Sequence, residues 1–157
     1  MFFQHLLGTD LSVCIINLID LDPASNGGLS RVAREFSRAV FDLSVEHPAL
    51  HPVFAVQASF APQFARWLQR PAVVIPVNPD NPRRPLLQGL NPDILVSPLI
   101  GIEPFDQIEQ FAGVRHIAVM PDTLALDLPQ TFNENTLAQR HKSYRLLKDA
   151  YRVITLT

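Results

Sequence analysis

Apolar residues along this chain gather in short runs separated by segments of helical period. Val13-Cys-Ile-Ile-Asn-Leu-Ile19 is an apolar run of strand length. A loop, residues 20–28, follows it, and then Leu29, Val32, Ala33, Phe36, Val40 and Leu43 recur at three- and four-residue steps. Ser30, Arg31, Arg34, Glu35, Ser37, Arg38 and Asp42 take the opposite face, which predicts a helix lying apolar stripe down on a sheet. Glu46 to Pro52, with two prolines, breaks that pattern before a second strand at Val53–Val56. Phe60 to Arg70 reads as a helix with Phe64, Trp67 and Leu68 on its apolar side and Pro62 in its first turn. Further strands are expected at Ala72–Val77, Asp93–Ser97, Arg115–Met120 and Tyr151–Leu156, and helices at Phe105–Phe111 and Asn133–Ala150. Pro76 cannot donate to a ladder, so the third strand belongs at or near a sheet edge. Residues 1–12 form a lead-in with a turn at Gly8-Thr9-Asp10, and residues 78–92 a proline-rich surface loop. Six short strands alternating with helices predict an α/β fold: a Rossmann-like three-layer sandwich with a mainly parallel sheet.

Composition narrows the class. The 157 residues fit one domain, and 47% apolar against 18% charged residues excludes a disordered chain. A formal net charge of −2 supplies no basic field for nucleic acid. Cys14, the single cysteine, lies inside the first apolar run, where a buried inert thiol is expected; metal-ligand spacing is absent. The start, Met1-Phe-Phe-Gln-His-Leu-Leu7, lacks the basic opening of a signal peptide, and no apolar run approaches the roughly 20 residues of a membrane span. A cytoplasmic protein without a transmembrane segment or a cofactor is the expectation.

Candidate chemistry sits in the loops. Asn26 or Ser25 is the expected N-cap of the first helix, and Gly27 and Gly28 leave its first amides uncovered by side chains. Such amides attract anions, although a pair of glycines also serves simply to make a turn. In a doubly wound sheet ligands bind outside the carboxyl ends of the strands where strand order reverses. If strands one and four are neighbours, Asn26, Gly27, Gly28, Ser97 and Asp122 line one crevice. Ser97 also reads as a strand-end hydrogen-bonder, Asp122 as a turn residue or cap, and His116 as a core histidine. Arg83 and Arg84, between prolines, read as solvated or as a meeting point for an anionic substrate. A dinucleotide site is not expected: Gly27-Gly28-Leu29-Ser30-Arg31 lacks the third glycine and strand two ends in Gln57 rather than an acid. The lysine of a nucleoside-triphosphate P-loop is missing too.

The strand Ile15-Ile-Asn-Leu18, the turn and helix Ser25-Asn-Gly-Gly-Leu-Ser-Arg-Val-Ala-Arg-Glu35, the strand Asn91-Pro-Asp-Ile-Leu-Val-Ser97 and the closing Tyr144 to Thr157 resemble the N-terminal half of retaining GT-B glycosyltransferases of family 4. The resemblance implies a two-domain enzyme that transfers a sugar from a nucleotide-sugar donor to an acceptor in the cleft between two Rossmann-like halves. Residues 1–157 would be the acceptor-side half, the donor-binding C-terminal half being absent. The glycine turn would lie against the donor diphosphate, which maps onto Asn26, Gly27 and Gly28, while Ser97 and Asp122 would face the acceptor cleft. The family often has His-Asp after strand five; here Pro121 stands where the histidine would be, and its side chain neither titrates nor donates, so no catalytic residue is assigned.

The chain stops on an apolar strand, and the expectation is an N-terminal domain that transfers nothing alone. Two other readings are a non-catalytic α/β domain binding a small anionic ligand or a protein partner, and a nucleotide-sugar epimerase of related architecture.

Overall fold

The structure, a computed structural model, describes residues 12–19, 21, 27–77, 92–98, 114–120 and 129–155. Six strands form one all-parallel sheet: β1 (Ser12–Asn17), β2 (Leu50–Gln57), β3 (Val73–Val77), β4 (Ile94–Ser97), β5 (Arg115–Met120) and β6 (Arg152–Thr155). Their order across the sheet is β3-β2-β1-β4-β5-β6, so the chain starts in the middle, builds outward to β3, returns beside β1 and builds outward again. This is the doubly wound order of the Rossmann-like α/β class, and its reversal point lies between β1 and β4.

The central strands are apolar on both faces because both are covered. β4 is buried throughout, and Ile117, Ala118 and Val119 of β5 have no exposure. On one face Cys14, Ile16, Leu50, Phe54, Val56, Ile94, Val96 and Ile117 form the main core with α1 (Gly28–Glu46) and α2 (Ala61–Leu68). From α1 it receives Ala33 and Val40, with Phe36 and Leu43 at its border. α2 contributes Phe64 and Leu68, and Phe64 lies 5.1 Å from Phe54, ring centre to ring centre. On the other face Ile15, Ala55, Val77 and Leu95 form a smaller cluster, and Ala118 packs with Met120, Leu147 and Ala150. Leu147 opens a 3-10 turn that follows α3 (Glu134–Leu146), so helical elements stand on both sides of the sheet. Asn133 caps α3, its Oδ1 accepting from Thr136 N at 2.9 Å.

Strand β2 begins at Leu50, three residues before the expected start, and takes in Pro52. Ser12 N donates to Ala49 O and Leu18 N to Ala55 O, so odd-numbered residues of β2 turn their main-chain groups toward β1 and Pro52 turns away. The ladder to β3 starts only at Val53, so the missing N–H of Pro52 leaves no bond unmade. Pro76 follows the same logic. Ala58 N donates to Val77 O, which puts odd-numbered residues of β3 toward β2 and Pro76 toward the open edge, as its imino nitrogen requires. Asp93 extends the β1–β4 pairing by one rung: its N–H donates to Val13 O and its carboxylate accepts from Val13 N, at 3.0 and 2.9 Å.

Candidate functional site

The pairing of β1 with β4 brings the loop after β1 and the end of β4 to one side of the sheet, which is the condition on which the expected crevice depended. Of the residues expected there, Gly27, Gly28 and Ser97 are described. Asn26, Ser25, Pro121 and Asp122 lie outside the described residues, as do Arg83, Arg84 and the expected helix over 105–111.

The helix start differs from the expectation. Gly27, not Asn26 or Ser25, is the N-cap of α1, and as a glycine it makes no side-chain cap hydrogen bond. Gly27 has φ −67° and ψ 167°, an extended conformation open to any residue, so the backbone there does not demand glycine. Its carbonyl accepts from Arg31 N at 3.2 Å, closing the first turn. Both glycines are exposed, and a Cβ added at Gly28 would meet nothing within 4 Å. The first turn carries no acidic side chain, so nothing in that turn offsets the positive end of the helix dipole. What the two glycines provide is an exposed helix start without side chains, in the connection that follows β1.

Across the reversal, Ser97 ends β4 with no exposure. Its Oγ lies 3.0 Å from Nε2 of His116 on β5. Ile15 pairs with Leu95 and Leu95 with His116, so Asn17, Ser97 and His116 share one sheet face by alternation. All three are buried polar residues on a face otherwise lined by Ile15, Ala55 and Leu95. Burial pushes the His116 imidazole down to about 4, so at neutral pH it is an uncharged hydrogen-bonding ring. Asn17 turns its Oδ1 back to accept from Ile19 N at 3.3 Å, which starts the chain's departure from β1. Ser97 and His116 thus act as the strand-end hydrogen-bonder and the core histidine expected of them. Asn17 has no motif around it to mark it as a site residue; its one signal in the sequence is a lone amide within Ile15-Ile-Asn-Leu-Ile19.

The described carboxyl ends of the six strands are Asn17, Gln57, Val77, Ser97, Met120 and Thr155, none of them charged. Among the described residues no group of three potential ligands is placed to hold a metal ion. The Cys14 thiol is fully buried and pushed up to about 12 by that burial, which leaves it protonated and unreactive. No described helix is long and apolar enough to cross a membrane. Compared with protein-family models, curated proteins and solved structures, the chain matches none.

Proposed function

We propose that this chain is the acceptor-side, N-terminal domain of a GT-B glycosyltransferase, in which the start of α1 receives the diphosphate of a nucleotide-sugar donor. The observation that carries the reading is the exposed Gly27–Gly28 start of α1 in the connection that follows β1, the strand at the β1–β4 reversal, with open space where a Cβ at Gly28 would stand. Helix amides suit this role, since two or three of them offer a diphosphate directional donors. Ser97 and Asp122 remain the acceptor-side positions in this reading, with Ser97 acting through the strand end that it fixes. The donor base and ribose contacts belong to a second domain, and residues 1–157 alone transfer no sugar. The domain is cytoplasmic in this reading, where nucleotide sugars are made.

The test is a calorimetric titration with a panel of nucleotide sugars and nucleoside diphosphates, comparing wild type with Gly27→Val. Valine is compatible with the φ and ψ at Gly27, so the variant keeps its fold while its side chain crowds the amides. The expected result is weak diphosphate binding that the substitution abolishes. Absence of binding at millimolar ligand would overturn the diphosphate role and favour a partner-binding domain without chemistry.

A further inference from the structure

The basic residues of this chain are unevenly placed. Residues 140–152 hold five cations, Arg140, Lys142, Arg145, Lys148 and Arg152, against one carboxylate, Asp149. The other 144 residues hold eight cations and fourteen carboxylates. A mildly acidic protein therefore carries a local charge of +4 on a segment that runs from α3 through the 3-10 turn Leu147–Asp149 into the edge strand β6. At physiological salt, charges more than about 8 Å from a contacting surface are largely screened, so such a segment acts on what touches it without cancellation by the acidic remainder.

Apolar groups stand among these cations. Lys148, Tyr151, Arg152 and Val153 are all exposed, Tyr151 by 44% and Val153 by 39%. Tyr151 and Val153 alternate with Arg152 along the strand and so share a face. The Arg152 guanidinium lies over the Tyr151 ring, 4.7 Å from its centre. A tyrosine and a valine presented beside lysine and arginine match the chemistry of a lipid headgroup layer, where amphipathic rings settle at the boundary and cations meet phosphate. One tyrosine already covered by an arginine is a poor stacking platform for nucleic-acid bases, which argues against that alternative.

We infer that the segment 140–152 docks the protein on an anionic lipid surface, with Lys148 and Arg152 at the headgroup phosphates and Tyr151 and Val153 at the boundary. The contact is peripheral and reversible. It does not depend on the diphosphate reading of the α1 start.

Sedimentation of the 157-residue chain with vesicles tests this. With vesicles of equal parts phosphatidylglycerol and phosphatidylcholine the chain should pellet at low salt, be released at about 0.5 M NaCl, and stay in solution with phosphatidylcholine alone. Each cation near an anionic leaflet is worth about fivefold in partitioning, so Lys148→Gln with Arg152→Gln should lower it roughly twenty-fold. Arg140→Gln with Lys142→Gln, which leaves β6 untouched, should weaken it as well and serves if the first pair disturbs the strand. No pelleting with the anionic vesicles, equal binding to neutral ones, or binding indifferent to both pairs would overturn the inference. So would a random-sequence DNA duplex that binds more tightly than the vesicles. Gly27→Val should leave vesicle binding unchanged, so the two proposals fail separately.

Discussion

Arg38, in the middle of α1, donates its Nε–H to the main-chain carbonyl of Leu68, the last residue of α2, at 2.9 Å. The same guanidinium reaches Glu35 through Nη1 at 3.0 Å. A carbonyl at a helix C-terminus has no partner within its own helix and carries part of the negative dipole end, so a cation there meets both needs. Replacing Arg38 by alanine should cost about 1–2 kcal/mol, read as a lower urea midpoint at unchanged slope. Lysine keeps the charge without the planar fork and should recover only part of the loss.

Gln69 follows α2 with φ 58° and ψ 32°, and it is the single described non-glycine residue at positive φ. The left-handed conformation crowds its Cβ, a cost that glycine avoids. Gln69→Gly should raise stability by about 0.5–1 kcal/mol, the relieved strain being partly offset by the freer unfolded chain. Thermal denaturation checks it; an unchanged or lower midpoint would show that the glutamine contributes a contact worth more than its strain.

Ser37 is fully buried on α1, and its hydroxyl has no hydrogen-bond partner among the described residues. A buried hydroxyl left unpaired forfeits its hydration without return. Ser37→Ala should therefore stabilise by about 1 kcal/mol, to which the better helix propensity of alanine adds a few tenths. Chemical denaturation of the two proteins side by side decides the sign.

The buried His116 ring makes stability depend on pH. Its value is about 4 in the folded protein and near 6.5 when unfolded. Above pH 6.5 neither state binds the proton and nothing is lost. Between 6.5 and 4 the unfolded chain takes up a proton that the folded one refuses, so stability falls as pH falls, by about 3 kcal/mol in total at the acid end. Urea denaturation at pH 7, 5.5 and 4.5 should show this slope in the wild type and a shallower one in His116→Asn; parallel slopes would assign the acid loss to other groups.

The strands and the long helix were legible because β1, β4 and β5 are buried on both faces and α1 on one, so their apolar periods are strong. Pro76 announced its edge through a missing donor. What stayed hidden depended on neighbours. Pro52 reads as a breaker until it is known that its nitrogen turns away from β1 at a point where β3 has not yet begun. The link from Ser97 to His116 spans 19 residues and exists only once β4 and β5 are in register, so no local pattern reports it. Likewise Gly27 stands at the N-cap although asparagine has the better intrinsic capping preference, so residue type alone does not mark the helix start.

The two edges of the sheet are not equivalent partners for another strand. Outward from β3 an incoming chain finds the N–H of Val74 and then the ring of Pro76, while β6 has no proline to interrupt it. End-to-end polymerisation of a sheet requires each copy to offer one edge and accept at the other, and here the accepting edge is spoiled. Edge pairing by this protein can join β6 to β6 once, in a closed two-fold pair, and then has nowhere to grow.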